Sequence, residues 1–334
     1  MNLTEEHQET PCVYSNFSCL ETSPTAVDVL LYIPVAIVVS LTVCGNLLVI
    51  ISICHFKQLQ TPTNFLVLSL AMVDFLVGVI VLPVYFLTWI DQWRCFDTLY
   101  CTTLKFAEYC FTCVSVYNVA LIGLDRYLAL SNPFHYSMKM TVNVTLRIIA
   151  ILWLYSLIYN IVLLYFNGDF TDMKENITCG VMECVGTVNK AWAFVDFIIA
   201  FVLPCSMIVI INLKIFAIAK KHAIKIRSVR QCPKNDHGSM ASERKAAKSL
   251  GILVAVFLLC TVPYYVSAFV EIYFKNKSVD LAILITSLVL YLNSSINPII
   301  YALFYPWFWR SVKLILTLRI CGSESSMLNV QQET

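Results

Sequence analysis

Three carboxylates interrupt long apolar stretches of this chain and are its best candidates for chemistry. They are Asp74, Glu108 and Asp196. No lysine or arginine lies at a comparable depth in these stretches to neutralise all three. A buried carboxylate without a partner either takes up a proton or binds a cation. The sequence therefore indicates a binding site for a positively charged group in an apolar environment.

Glu108 has an opposite charge at the far end of its own stretch, Arg126. The residues between them, from Tyr109 to Leu124, are almost all uncharged. The two charges are 18 residues apart, which is roughly five helical turns and roughly 27 Å. They therefore lie on one helix face, separated by nearly the hydrocarbon thickness of a bilayer, roughly 30 Å. This spacing suggests a helix that senses a signal on one side of a membrane and reports it on the other.

The composition identifies the elements that must position these groups. Hydrophobic residues make up 59% of the 334 residues and charged residues 13%, about half the charged share of a soluble domain. Apolar segments of spanning length recur roughly at 27–54, 62–89, 98–130, 142–164, 189–219, 244–271 and 279–303. The predicted fold is an all-α membrane protein, a seven-transmembrane helix bundle with a short amphipathic eighth helix.

Basic residues set the expected orientation of the bundle. Of the 23 lysine and arginine residues, 17 fall in the loops after spans 1, 3 and 5 and in the C-terminal tail, and six fall on the other side. Because cytosolic loops are enriched in these residues, the N-terminus is expected outside the plasma membrane and the C-terminus in the cytosol. The predicted organisation is an extracellular segment 1–26, the bundle 27–304, an interfacial helix 305–320 and a cytosolic tail 321–334.

Short motifs, one in each span, carry a resemblance to a known family. They are Gly45-Asn46, the LSLAMVD run that ends at Asp74, Asp125-Arg126-Tyr127, Trp153, Pro204, Pro263 and Asn297-Pro298-Ile299-Ile300-Tyr301. Together they resemble the motifs of rhodopsin-like (class A) G-protein-coupled receptors over residues 27–320. The stretches HFKQLQTPTNFLVLSLAMVD, IFAIAKKH, SERKAAKSLGI and NPIIYALFYPWF are similar to the trace amine-associated receptors. Many members of that family are chemosensory.

The resemblance implies an amine ligand held by acids of the third and fifth spans. Glu108 occupies the position where amine receptors carry the aspartate that binds the ligand's ammonium group. Asp196 occupies a position where an acid marks a second ammonium site. The leading hypothesis is therefore a diamine or polyamine such as cadaverine, putrescine or spermine, and the alternative is a monoamine bound at a single acid. The candidate ligand-binding residues are Glu108, Asp196, Tyr109, Thr112, Trp192, Tyr264, Tyr265 and Tyr291.

Structural roles remain open for these same residues. Each aromatic side chain could simply pack in the core. Glu108 could instead form an ion pair on its own helix face with Lys105, three residues earlier.

The resemblance assigns the opposite end of the bundle to G-protein coupling. The residues implied are Asp125, Arg126, Tyr127, Glu243, Asn297, Pro298 and Tyr301. Arg126 is expected to pair with Asp125 and with Glu243 at rest, and loss of the second pair would release span 6. A possible sodium site comprises Asp74, Ser115, Asn293 and Asn297, each of which could instead make an interhelical hydrogen bond.

Two positions depart from the family pattern. Thr261 stands where most relatives have a tryptophan below the ligand, and Asn212 stands where span 5 usually has a tyrosine. Both departures put the usual activation relay in doubt.

Six of the 14 cysteines are expected on the extracellular side: Cys12, Cys19, Cys95, Cys101, Cys179 and Cys184. Six cysteines allow 15 pairings. The resemblance implies the disulfides Cys101–Cys184 and Cys19–Cys179, and it leaves the pairing of Cys12 and Cys95 open. Sequons at Asn2, Asn16 and Asn176 are predicted glycosylation sites, and a fourth sequon, at Asn276, falls on the same side.

Other classes of protein fit the sequence less well. It has no phosphate-cradling glycine loop and no metal-spaced His/Cys cluster, so no enzyme and no cofactor is predicted. The net charge of +2 gives no reason to expect nucleic acid. Intramembrane acids also mark ion pathways, which makes a transporter or channel the alternative class, but the seven spans show no internal repeat. The resemblance implies an olfactory role, with a small amine and a stimulatory heterotrimeric G protein that raises cyclic AMP as partners, and the apolar spans imply the lipid bilayer.

Overall fold

The computed structural model describes residues 26–90, 98–167, 190–229, 237–274, 277–321 and 325–330. These residues form helices and short turns and include no strand. The helices are α1 (Ala26–His55), α2 (Pro62–Leu76), α3 (Leu82–Ile90), α4 (Thr98–Ser131), α5 (Pro133–Lys139), α6 (Val142–Asn167), α7 (Lys190–Asp196), α8 (Leu203–Val229), α9 (His237–Glu271), α10 (Lys277–Phe304) and α11 (Pro306–Leu316). Within the described residues, seven helical stretches are long and apolar enough to cross a membrane, as the sequence predicts.

Two of the spans contain a wide helical turn next to a proline. A π-helical turn at Val77–Val81 joins α2 to α3, and another at Phe197–Val202 joins α7 to α8. Pro83 and Pro204 follow almost at once. A proline ring clashes with the carbonyl group four residues earlier and offers no N–H, and a wider turn relieves that clash. The extra residue rotates the preceding segment by about 100° relative to a regular helix.

The third span, α4, lies at the centre of the bundle. It packs against α2, α6 and α8, while α10 packs against α9 and α1. The two ends of the bundle are named here after the charged residues of α4, the Glu108 end and the Arg126 end. Aliphatic side chains of α1, α2, α4, α8 and α9 form the largest core cluster, which extends toward the Arg126 end. Two smaller clusters, rich in tyrosine and phenylalanine, surround the Glu108 end.

Gly45 explains the close approach of α1 to α10. A Cβ atom at this position would lie 2.8 Å from the Cβ atom of Pro298, so only glycine fits. The proximity lets the Thr42 and Ser295 hydroxyl groups meet at 2.6 Å. Asn46 also donates to a carbonyl oxygen of α10 at 3.0 Å. The first motif of the chain is thus a packing device between the first and last spans.

Helices α8 and α9 extend further than the sequence predicts. The apolar segments predict that the fifth span ends near 219 and the sixth begins near 244, but α8 continues to Val229 and α9 begins at His237. The hydropathy pattern ends where lysine and arginine begin, yet these residues are good helix formers. A membrane span therefore ends earlier than the helix that contains it.

The short amphipathic helix predicted after the seventh span is present as α11. Trp307, Phe308 and Val312 are buried, whereas Lys313 is exposed. One face therefore packs on the bundle, and the exposed face carries Trp309 and Leu316 beside Lys313. Apolar and basic side chains together suit a helix that lies along a membrane surface.

Candidate ligand-binding site

Glu108 lies partly buried in the first half of α4, with Tyr291 of α10 opposite. The Tyr291 hydroxyl group lies within hydrogen-bonding reach of the Glu108 carboxylate. Tyr85 supports Tyr291 edge-on, with the ring centroids 5.2 Å apart, and its own hydroxyl group donates to the Leu284 carbonyl oxygen at 2.9 Å. Lys105 is close enough for its charge to act on the Glu108 carboxylate. Tyr291 and Lys105 therefore both lie near the Glu108 carboxylate.

Asp196 is the last residue of α7 and directly precedes the second π turn. Tyr159 of α6 donates its hydroxyl group to Asp196 Oδ1 at 2.8 Å. Tyr159 in turn stacks on Tyr155, with the centroids 5.8 Å apart and the rings 19° from parallel. Lys190, on the same helix as Asp196, lies over the Tyr273 ring at 5.7 Å. No ion pair to Asp196 occurs among the described residues, so the Tyr159 hydroxyl stabilises its charge without neutralising it.

Tyr264 and Tyr265 of α9 form an aromatic wall near the two acids. Tyr264 lies close enough to both Glu108 and Asp196 for the two carboxylate charges to act on it. Tyr265 lies near Asp196 and stacks on Phe201, with the centroids 4.7 Å apart and the rings 13° from parallel. The charges of the two acids therefore act on one aromatic wall. Phenol rings pack against both methylene and ammonium groups, so this wall can contact a ligand that carries both.

The remaining predicted ligand residues fall into different surroundings. Tyr109 lies beside Tyr264 and joins the aromatic wall. Thr112 is half-buried one helical turn beyond Glu108 on α4. Trp192 stacks on Phe166, with the centroids 4.6 Å apart, which is the packing role that the sequence leaves open for it.

Two tyrosines that the sequence analysis did not single out are part of this arrangement. Tyr85 supports Tyr291, and Tyr159 holds Asp196. A signal for both exists in the sequence, because a phenol in an apolar span needs a hydrogen-bond partner. Tyr155 and Tyr159 are also four residues apart and therefore share a helix face. The partner of each hydroxyl group depends on the helix opposite and cannot be predicted from spacing.

Asp74 of α2 is fully buried and accepts hydrogen bonds from side chains of α10. Its Oδ1 accepts a hydrogen bond from Ser294 Oγ at 2.8 Å, and its Oδ2 accepts one from Asn297 Nδ2 at 2.6 Å. Of the possible sodium ligands, the structure thus brings Asp74 and Asn297 together. It places Ser115 and Asn293 in the buried interior and adds Ser294, which the prediction missed. All five side chains carry oxygen atoms, the ligands that hard cations prefer.

At the Arg126 end, both oxygens of the buried Asp125 accept hydrogen bonds from hydroxyl groups. Thr63 Oγ1 donates to Oδ2 at 2.6 Å, and the Tyr136 hydroxyl donates to Oδ1 at 2.7 Å. Burial raises the pKa of Tyr136 to about 12, so the phenol keeps its proton at neutral pH.

The expected resting pair between Arg126 and Asp125 is not formed. Among the side chains that the structure describes, no ion pair joins the two, because adjacent residues of a helix point about 100° apart and Asp125 is occupied by Thr63 and Tyr136. The side chain of Glu243, the other expected partner, lies outside the described part of the structure. That pair stays a prediction.

Arg126 and Tyr301 line a common cavity between α2, α4, α9 and α10. Its volume is about 20 Å³, room for one water molecule. The Tyr301 hydroxyl group is buried and has no hydrogen-bond partner in the described residues. Nearby, the Lys214 ammonium group lies 5.6 Å from the centroid of the Tyr127 ring and ties α8 to α4. Arg126 and Tyr301, two of the residues predicted for coupling, therefore line the same cavity.

The two departures from the family pattern both lack a cross-bundle hydrogen bond in the part of the chain that the structure describes. Thr261 is fully buried, and its hydroxyl group has no partner there. Asn212 donates its amide to the Ile208 carbonyl oxygen on its own helix at 2.8 Å. Neither side chain links two helices in the way that a relay requires.

Both predicted disulfides and all predicted glycosylation sites involve residues outside the described part. These residues are Cys12, Cys19, Cys95, Cys179, Cys184, Asn2, Asn16, Asn176 and Asn276. Cys101 belongs to α4, but its side chain is not among those described. The pairings and the modifications stay predictions.

Comparison with known proteins supports the arrangement of the spans. The family model of the 7 transmembrane receptor (rhodopsin family) matches residues 45–301. The match begins at the glycine that packs against α10 and ends at the tyrosine that lines the Arg126 cavity. It therefore contains the motifs noted above, from the first span to the seventh.

Curated relatives narrow the family. The chain is 36% identical over 325 residues to trace amine-associated receptor 13c of Danio rerio, covering 94% of each chain. It is 36% identical over 331 residues to trace amine-associated receptor 8a of Rattus norvegicus, covering 95% of each chain. It is 38% identical over 301 residues to receptor 7c of the rat, covering 88% of this chain and 84% of that one. These relatives are receptors and not enzymes. The chain therefore belongs to the rhodopsin family of seven-transmembrane receptors and, within it, to the trace amine-associated receptors.

Proposed function

We propose that this receptor is activated by a diamine or polyamine whose two ammonium groups bind Glu108 and Asp196. The observation that carries the proposal is that Tyr264 lies within electrostatic reach of both carboxylates. Membership of the family implies a small amine ligand, coupling to a G protein and a place in the lipid bilayer. The two acids suggest, in addition, that the ligand carries two ammonium groups.

The charge balance favours a ligand with two cations. Two carboxylates whose charges act on the same tyrosine inside an apolar bundle repel each other when no cation compensates them. A monoamine compensates one of them, whereas a diamine compensates both. A hydrogen bond to a charged group contributes about 1.5–3 kcal/mol, and tenfold in affinity corresponds to about 1.4 kcal/mol. The second ammonium group should therefore raise the affinity about tenfold or more.

The same proposal includes the direction of signalling. The excess of basic residues on one side supports an extracellular Glu108 end and a cytosolic Arg126 end. Ligand binding at Glu108 and Asp196 would then release span 6 at the Arg126 end and activate a stimulatory G protein that raises cyclic AMP. The family resemblance supports a chemosensory, olfactory role.

Variants that remove charge but keep shape test the two-cation site. Glu108→Gln and Asp196→Asn each retain an oxygen that can accept from Tyr291 or Tyr159, so the fold should be unaffected. The assay is cyclic AMP accumulation in cells that co-express the receptor, normalised to receptor at the cell surface. We expect each variant to abolish the response to diamines of three to six methylene groups or to shift it by at least about tenfold.

A diamine acetylated on one nitrogen is the matched ligand control, because it keeps the chain length and loses one cation. On the unmodified receptor it should be about tenfold or more weaker than the parent diamine. The proposal would be refuted by an unchanged diamine potency in Asp196→Asn. It would also be refuted if monoamines gave stronger responses than every diamine.

A receptor for monoamines is the second candidate, and one contact favours it. In this alternative, the Tyr159–Asp196 hydrogen bond only stabilises the packing of α6 against α7, and Glu108 is the only acid that binds the ligand. In that case Asp196→Asn would lower the surface level or the thermal stability and would leave the ranking of amines unchanged.

A further inference from the structure

The residues after α11 turn back toward the beginning of the bundle. The helix ends at Leu316, and Leu318 then adopts a left-handed backbone conformation with φ of 55°. Residues other than glycine rarely adopt that conformation and keep it only where the surrounding structure holds it. The chain then forms a helical turn at Ser325–Met327 beside the turn Lys57–Leu59 that connects α1 to α2.

Two residues of the tail are buried against this connection. Ser325 is 6% exposed and Val330 is 0% exposed, whereas Met327 between them is 61% exposed. Val330 belongs to the main core cluster of the bundle. Burial of the first and last residues of this six-residue segment, with exposed residues between them, indicates a peptide that is held at both ends.

Hydrogen bonds fix the segment at both ends. Ser325 Oγ donates to the Ile320 carbonyl oxygen at 2.6 Å and lies 3.0 Å from His55 Nε2. Since the single hydroxyl proton is used on Ile320, His55 Nε2 must be the donor in the second contact. At the other end, the Val330 backbone N–H donates to Gln58 Oε1 at 3.2 Å.

We infer that residues 325–330 form an intramolecular clasp that docks the tail of the chain on the end of α1 and on the turn Lys57–Leu59. The clasp has two consequences. It tethers the far end of α11 to α1, whereas the near end of α11 directly follows α10 in the chain. It also occupies the surface around His55 and Gln58, so any partner that binds this surface must first displace the tail.

Hydrogen–deuterium exchange on the full chain in lipid nanodiscs tests the clasp. In the unmodified protein we expect the tail peptide that contains Val330 to exchange about tenfold or more slowly than its unstructured rate. Ser325→Ala removes both hydrogen bonds of the hydroxyl group and should bring this exchange close to the unstructured rate. Ser326→Ala, at the neighbouring position, is the matched control and should leave the protection in place.

Thiol labelling of single tail cysteines, read by mass spectrometry of the tail peptide, is the second measurement. Val330→Cys should react slowly and Leu328→Cys quickly, because Val330 is fully buried and Leu328 is 40% exposed. Adding Ser325→Ala should bring the two rates together. Equal labelling without Ser325→Ala, an unprotected tail in the unmodified protein, or equal effects of Ser325→Ala and Ser326→Ala would each overturn the inference.

Discussion

Replacing Tyr159 by phenylalanine separates the role of Asp196 in ligand binding from its role in packing. The substitution deletes the hydroxyl group that donates to Asp196 Oδ1 at 2.8 Å. It keeps the ring that stacks on Tyr155, so the contact between α6 and α7 loses one hydrogen bond and little packing. Asp196 keeps its charge and loses the donor that orients it.

The size of the effect follows from the kind of bond that is lost. A hydrogen bond from a hydroxyl group to a carboxylate contributes about 1.5–3 kcal/mol, and about 1.4 kcal/mol corresponds to tenfold. Not all of this appears in binding, because a free carboxylate can find another donor. We therefore expect the potency of a diamine to fall by about tenfold, and that of a monoamine anchored at Glu108 to change by less than about threefold.

The assay is a cyclic AMP concentration–response series for a diamine and for its singly acetylated derivative, in cells with equal surface receptor. Tyr155→Phe is the matched control. It removes a hydroxyl group from the adjacent ring of the same stack. That hydroxyl lies within hydrogen-bonding reach of Tyr117 and feels the charge of Asp196 but makes no hydrogen bond to it. Parallel shifts of both ligands in Tyr159→Phe would refute the reasoning, because a purely structural contact affects every ligand alike. An unchanged diamine potency would also refute it.

Three further predictions concern stability, each measured as the thermal unfolding temperature of the purified receptor. Gly45→Ala should lower this temperature, because the new Cβ atom would lie 2.8 Å from the proline ring of α10, and overpacking costs about 1–3 kcal/mol. Gly123→Ala is the control and should be tolerated, because the nearest atom to its Cβ lies at 3.5 Å. Thr261→Val should raise it by removing a buried hydroxyl group that has no partner in the described residues, and a decrease would show that the hydroxyl is in use. Tyr136→Phe should lower it at neutral pH by removing a donor to Asp125. Because burial raises the pKa of Tyr136 to about 12, above the ordinary value of about 10, the stabilisation is fully present below pH of about 10 and fades toward pH of about 12. A difference from Tyr136→Phe that changed between pH 6 and 8 would contradict this.

The order of apolar and polar residues along the sequence already determines the number of spans and the position of each acid along its helix. Apolar length and helical period are properties of consecutive residues, and a bilayer requires every backbone group to be satisfied within its own helix. For this reason the seven spans and the short helix α11 follow from the sequence. The positions of Glu108 and Arg126 at opposite ends of α4 follow for the same reason.

The ends of the helices and the direction of Asp196 depend on more than hydropathy. Helices α8 and α9 continue past the apolar pattern because a helix outside the membrane no longer needs apolar residues. Pro204 predicts a disturbance of the fifth span, but its form is a wide turn of six residues. Because the turn directly follows Asp196, it determines which neighbouring helix Asp196 faces.

Only the tertiary structure decides which side chains meet. Tyr159 beside Asp196, Ser294 beside Asp74 and Thr63 beside Asp125 are contacts between helices that are separate in sequence. Tyr136 donates to Asp125 from α5, the helix that directly follows α4. A spacing rule identifies the face of a helix, but the partner depends on the rotation and depth of the helix opposite. The amino-acid sequence thus determined that this protein is a membrane-spanning receptor with two acids at one end. The packing of seven helices decided that both acids lie within electrostatic reach of the same tyrosine.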